Sequence, residues 1–206
     1  MIDDIIISYN NDYTEENKWF FESCADETKQ LATNCNIAYR TITPPDLSAE
    51  EIERHIGSCR GGFIFSAYMH GHKKGIVNER NEDVVSNDIN SDLFGGNVFY
   101  TFSCQCGNLL QKELSDRHIA LFWGYKSDTN ILLREEYVEC AVEGLKQFLS
   151  GKTVEESKSA MEEKYKENHY KIGGLIGALL LENKDNMVVV GDPNLRLCKL
   201  NCVIKE

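Results

Sequence analysis

The sequence predicts an α/β fold, a three-layer sandwich whose mostly parallel central sheet carries helices on both faces. Three observations lead there. Short β-branched or aromatic runs alternate with longer segments of helical periodicity, the connections between them are short, and several of the runs are apolar nearly throughout, as strands covered on both sides are. No internal repeat or low-complexity tract breaks the alternation. At 206 residues, 42% of them hydrophobic and 27% charged, the chain is long enough for one substantial core, so one domain over residues 1–206 is expected.

The elements follow in order. Ile5-Ile6-Ile7-Ser8-Tyr9 is a short β-branched strand, residues 15–34 form a polar-faced helix, and residues 37–42 form a second strand stopped by Pro44-Pro45. Ser48 with Glu51 three residues later is a capping-box start for a helix that runs to Gly57. Gly61-Gly62 leads into a third strand over residues 63–68, which ends at His70-Gly71-His72. From 73 to 96 the composition turns to Asn, Asp, Glu, Gly and Ser with scattered valines. That change predicts a loop-rich insertion holding a small hairpin, a short helix near residues 88–94 and mobile loop. Residues 98–102 are the fourth strand and 108–114 the helix after it. Residues 119–123 are the fifth strand, leading into Gly124-Tyr125-Lys126-Ser127-Asp128. Helical periodicity holds over 131–149 and, after the breaker Gly151, over 154–167. Residues 172–181 are apolar all round, a buried helix or long strand, and Met187-Val188-Val189-Val190 is the last strand, ending at Gly191-Asp192-Pro193.

Charge and cysteine usage bound the function. A formal charge of -11 disfavours nucleic acid and anionic membrane, which reward lysine and arginine clusters, and favours a protein or peptide partner. The acidic start Met1-Ile2-Asp3-Asp4 has no secretory-signal character, and the longest apolar run is about half of what a bilayer requires. Eight cysteines (Cys24, Cys35, Cys59, Cys104, Cys106, Cys140, Cys198 and Cys202) in a chain of this length read as reduced thiols of a cytoplasmic protein, most of them acting as small buried hydrophobes.

Two segments carry chemistry. Tyr68-Met69-His70-Gly71 and Ser103-Cys104-Gln105-Cys106-Gly107 each put a reactive side chain where a buried strand emerges, and open α/β sheets present ligands at the carboxyl ends of their strands. A thiol and an imidazole delivered in this way are the parts of a cysteine-nucleophile hydrolase: Cys104 attacks, and His70 accepts and then donates the proton. The backbone N–H groups of Gly71 and Cys104 would form the oxyanion hole, and the dipole of the helix after Cys104 would favour a thiolate. Cys106 is the alternative nucleophile, since alternation along an extended segment sets it on the same side as Cys104. The same residues also admit a metal reading, because His70, His72, Cys104 and Cys106 are a chemically adequate zinc set. Their one-residue gaps, however, fit a tetrahedral ion poorly.

The order of these segments resembles the caspase-like cysteine peptidases, most closely their CHAT and gingipain-like branch, and the resemblance runs from Ile5 to Leu197. An apolar strand ends in His70-Gly71 and a later one in Ser103-Cys104-Gln105-Cys106-Gly107. Phe122-Trp123-Gly124-Tyr125 looks like the family's pocket-wall strand, and Gly191-Asp192-Pro193-Asn194-Leu195-Arg196-Leu197 looks like its closing segment. Ser103 and Gln105 depart from the caspase signature around the nucleophile, which argues against aspartate specificity. The resemblance implies a cysteine endopeptidase with a His70–Cys104 dyad, an acyl-enzyme intermediate and no cofactor. It also implies a substrate pocket drawn from Trp123, Gly124, Tyr125 and Asp128, a protein or peptide substrate, a regulatory protein partner, and a role in bacterial defence or regulated cleavage. Two alternatives stay open at this point, a caspase-like binding module without activity and a His/Cys zinc-binding protein.

Overall fold

In the strand β7 (Val98–Phe102), successive side chains enter two different cores. Val98, Tyr100 and Phe102 pack on one side and Phe99 on the other, all of them buried. The same period of two runs through β1 (Ile2–Tyr9), where Ile5 and Ile7 oppose Ile6, through β3 (Gly62–Tyr68), where Ile64 and Tyr68 oppose Phe63 and Phe65, and through β8 (Leu121–Tyr125), where Trp123 opposes Phe122. Side chains that alternate between two apolar layers require cover on both faces, the condition of a parallel sheet. The structure, a computed structural model, describes residues 2–197.

These strands join β2 (Ala38–Ile42) and β9 (Met187–Gly191) in a six-stranded sheet of order β2-β1-β3-β7-β8-β9. All neighbours are parallel except the β8–β9 edge pair, in which Trp123 lies opposite Val189. One face is covered by α1 (Lys18–Asn34), α4 (Glu135–Leu149) and α5 (Val154–Ile172), which contribute Phe20, Phe21, Tyr137, Phe148 and Tyr165 to the core. On the opposite face lie α2 (Ala49–Gly57) and α3 (Leu109–Asp116), through Ile52, Ile56, Leu110 and Leu114. The α/β sandwich that the alternation predicts is therefore present. Each buried Phe or Leu contributes about 1.5–3 kcal/mol of transfer free energy, so the two aromatic-rich layers set the stability of the sheet that carries the site.

Local signals account for most boundaries. Ser48 caps α2 by accepting from the Glu51 N–H at 3.2 Å, as its spacing predicts, and Thr153 with Glu156 closes a full capping box at the start of α5. Asp192 fixes the turn after β9 by accepting from the Asn194 N–H at 2.9 Å. Helix α1 starts at Lys18, later than residue 15, because the Glu15 side chain turns back to accept from the Asn17 N–H at 2.9 Å. Strand β8 lies two residues further along than the apolar run suggests, since Ile119 and Ala120 serve the turn that leads into it.

Residues 73–96 hold the small hairpin and short helix expected there: β5 (Gly75–Val77) pairs with both β4 (Gly71–His72) and β6 (Asp83–Ser86), and a short 3-10 turn follows at Ser91–Phe94. Ile76, Val84, Val85 and Phe94 are fully buried in the second core and anchor the segment. One expectation is corrected: residues 172–181 are not a buried core helix. They contain the end of α5 and most of α6 (Gly174–Asn186), which buries only Gly177, Leu180 and Asn183 and leaves Leu175 79% exposed. Gly177 lets α6 lie against the His169 carbonyl, where a Cβ would stand 2.6 Å from the oxygen. No helix among the described residues is long and apolar enough to cross a membrane.

Candidate active site

The carboxyl ends of four neighbouring parallel strands each supply one part of the site. Glu15 follows β1, His70 follows β3, Cys104 follows β7 and Thr129 follows β8, in the same order as the strands lie in the sheet. The chain reverses direction across the sheet between β1 and β3, and a switch point of this kind opens a crevice beyond the strand ends.

His70 is held from two sides. Its Nε2 lies 3.0 Å from Glu15 Oε2, and the Phe21 ring meets the imidazole edge to face, with centroids 5.7 Å apart. Glu15 is itself fixed, since Oε2 accepts from Asn10 Nδ2 at 2.9 Å and Oε1 accepts from the Asn17 N–H at 2.9 Å. Its side chain is 8% exposed against 46% for His70, so a buried carboxylate anchors a ring that faces solvent. The carboxylate is an acceptor, so the Nε2 it faces carries the proton and Nδ1 is left to work. Glu15 was missed in the sequence because its polar stretch reads as the start of a helix. The only signal for it was a carboxylate soon after the end of the first strand.

Cys104 sits in a tight turn pinned to the loop after β8. The Gln105 N–H donates to the Ser127 carbonyl at 3.1 Å, the Gly107 N–H to the Tyr125 carbonyl at 2.7 Å, and Asn108 Nδ2 to the Lys126 carbonyl at 2.6 Å. Gln105 adopts φ +60° within the turn. The thiol is half-buried, and its sulfur accepts from the Thr129 N–H at 3.3 Å, with the Thr129 hydroxyl at 3.4 Å. Among the described residues no hydrogen bond joins this sulfur to His70.

The two reactive segments touch through Gly71. A Cβ on Gly71 would stand 2.8 Å from the Cys104 carbonyl oxygen, 2.8 Å from Cys106 Sγ and 2.9 Å from Ser103 Cβ. Glycine is required here because the nucleophile turn packs directly on it. Across the strand ends, the Thr101 hydroxyl lies 3.1 Å from the Ala67 carbonyl and 2.8 Å from the Ser103 hydroxyl, which locks the last turn of β7 to β3. The Val77 N–H donates to the His70 carbonyl at 3.0 Å, so alternation along the antiparallel pair turns the Gly71 N–H away from β5.

The other expected site residues divide. Cys106 is fully buried, its Sγ 3.5 Å from the Gly75 and Cys104 carbonyls, and burial pushes its thiol far above the usual range. A thiol with no access and no thiolate cannot attack, so Cys106 is set aside as alternative nucleophile. Trp123, Gly124 and Tyr125 are corrected from pocket wall to core. Trp123 packs on Gly144, Gly124 lies between Phe122 and Thr101, and Tyr125 shares a buried 2.7 Å hydroxyl pair with Tyr165. Asp128 is exposed beside the nucleophile turn and accepts from Gln105 Nε2 at 2.7 Å. The Leu110 and Gln111 N–H groups of α3 donate to the Lys73 and Cys106 carbonyls and not to the Cys104 sulfur.

The zinc set does not assemble. His72 Nε2 lies 2.6 Å from Asp83 Oδ1 and its Nδ1 accepts from the Lys74 N–H, while Cys106 faces carbonyl groups. Among the described residues no group of three or more His, Cys, Asp or Glu side chains converges on a point where a metal ion would sit. Cys24, Cys35, Cys59, Cys104, Cys106 and Cys140 are free thiols; Cys198 and Cys202 lie outside the described residues.

No family model and no curated protein matches the chain. Among solved structures it is similar to the crystal structure of protein GSU0716 from Geobacter sulfurreducens, with 12% identity and a TM-score of 0.51 over 94% of this chain and 97% of that one. A likeness at that identity concerns the fold, and it extends the α/β sandwich to a second chain of similar span.

Proposed function

We propose that the chain is a cysteine endopeptidase of caspase-like type, with Cys104 as nucleophile, His70 as general acid and base, and a protein or peptide as substrate. The observation that carries the proposal is the Glu15–His70 contact at 3.0 Å, which orients the imidazole beside the half-buried Cys104 turn. A surface histidine would not need a buried carboxylate anchored by two further donors.

In this reading the Cys104 thiol gives its proton to Nδ1 of His70 as the sulfur attacks the scissile carbonyl carbon, and the electron pair of the C=O bond moves onto oxygen. The N–H groups of Gly71 and Cys104 stabilise that oxyanion. On collapse the C–N bond breaks, and the leaving amine takes a proton from Nδ1 of His70. Water then adds to the thioester, His70 accepts its proton, and the thiol is regenerated as the acid product leaves. Glu15 keeps the ring in the tautomer and plane that both transfers need. Asp128, exposed next to the nucleophile turn, would favour a basic side chain in the substrate.

Digestion of a peptide library by wild type, Cys104→Ala and His70→Ala is the direct test. Cleavage by the wild type that both variants abolish supports the peptidase. No cleavage by the wild type, with Cys104 inert to iodoacetamide, would leave the binding-module reading in its place.

A further inference from the structure

The Cys104 sulfur bonds to a backbone N–H rather than to the imidazole, and a buried amide on a distant helix holds that N–H in place. Thr129 donates its N–H to Sγ at 3.3 Å. The next residue, Asn130, is gripped at both backbone groups by one side chain of α6: the Asn130 N–H donates to Asn183 Oδ1 at 2.7 Å, and Asn183 Nδ2 donates to the Asn130 carbonyl at 2.8 Å. Asn183 is fully buried although α6 otherwise buries little of its surface. A buried carboxamide that satisfies both its donor and its acceptor on one residue fixes the backbone of that residue as a strand partner would.

We infer that Asn183 is a positioning residue for the nucleophile, holding the Thr129 N–H against Cys104 Sγ so that the sulfur keeps one orientation at the strand end. The inference rests on the peptidase reading for its meaning, but its physical content concerns the thiol alone. The bond from the Thr129 N–H fixes the direction of the sulfur, and freeing the Asn130 backbone lets the donor and the sulfur move apart. The Leu110 and Gln111 N–H groups of the helix after Cys104 bond to the Lys73 and Cys106 carbonyls, and the hydrogen bond to the sulfur comes from the loop after β8.

The test is the rate of Cys104 alkylation by iodoacetamide at neutral pH, read by peptide mapping, in wild type, Asn183→Ala and Glu182→Ala. Asn183→Ala frees the Asn130 backbone and is expected to slow alkylation about 10-fold. Glu182→Ala removes only an exposed contact to the Asn130 side chain and is expected to stay within about twofold of wild type. A peptide substrate adds a second readout, in which kcat falls for Asn183→Ala with KM unchanged. A folded Asn183→Ala protein alkylated at the wild-type rate overturns the inference. Should that variant not fold, hydrogen exchange decides. The Thr129 amide is expected to exchange about 10-fold faster in Cys104→Ala than in wild type, and equal rates overturn the inference. Wild-type protein that alkylates as expected but cleaves nothing removes the peptidase reading and leaves the Asn183 inference standing.

Discussion

Replacing Gly71 by alanine puts one methyl group into the contact that joins the two halves of the site. The new Cβ would lie 2.8 Å from the Cys104 carbonyl oxygen, 2.8 Å from Cys106 Sγ and 2.9 Å from Ser103 Cβ. Unstrained carbon contacts lie near 3.5–4.0 Å, so relief needs a displacement of about 0.5–1 Å between β4 and the nucleophile turn. Of the three neighbours only Cys106 Sγ ends a side chain, and that side chain is fully buried. Overpacking of this kind costs about 1–3 kcal/mol, and in a chain of this size that lowers Tm by about 2–12 °C. The larger effect is on chemistry, because a displacement near 1 Å at a reacting group costs about 100-fold. Thermal unfolding and peptide cleavage are measured together, with Gly57→Ala as control. A Cβ at Gly57 meets nothing within 4 Å, so no loss is expected there. Gly71→Ala with unchanged Tm and unchanged cleavage would refute the packing argument and the placement of the turn with it.

Glu15→Gln keeps the shape but removes the anionic acceptor at His70 Nε2. We expect kcat to fall about 10- to 100-fold with little change in KM, and an unchanged kcat would remove Glu15 from the mechanism. Tyr165→Phe strands the Tyr125 hydroxyl in the core, where its 2.7 Å partner is lost, and should cost about 1–3 kcal/mol in denaturant unfolding. Under iodoacetamide the folded protein should label at Cys104 while Cys106, Cys24 and Cys140 stay protected until denaturation; early labelling of Cys106 would reopen the choice of nucleophile. Burial, reinforced by the Arg54 guanidinium, holds the folded His55 below its usual value. The neutral ring is therefore the form favoured by folding, and its contribution is complete above about pH 6.5 and lost as pH falls below that. His55→Gln should show a smaller drop in Tm than wild type between about pH 7.5 and 5.5, and parallel drops would contradict this.

Period-two apolar runs and capping signals were enough to read the fold class, the order of elements and the two reactive strand ends from the sequence, because each depends on residues close together in the chain. The runs around Ile5, Ile64 and Phe99 admit only strands covered on both faces. His70 and Cys104 stand out because a reactive group follows each run directly. What the chain order does not contain is which groups meet from different strands. Glu15 reaches His70 across 55 positions and Thr129 reaches Cys104 across 25, and neither spacing has a local signature. Trp123 and Tyr125 looked like pocket wall because they end a strand. Only the cover of α4 and α5 shows that they face the core. Cys104 and Cys106 were equivalent by alternation, and the positive φ of Gln105 breaks that alternation, leaving one thiol half-exposed and sending the other beneath Gly71. Local pattern fixes what each segment becomes, because propensity and periodicity act within a few residues. The acceptor behind the histidine, the donor on the sulfur and the choice between two thiols depend on parallel strand pairing, which sets distant residues side by side.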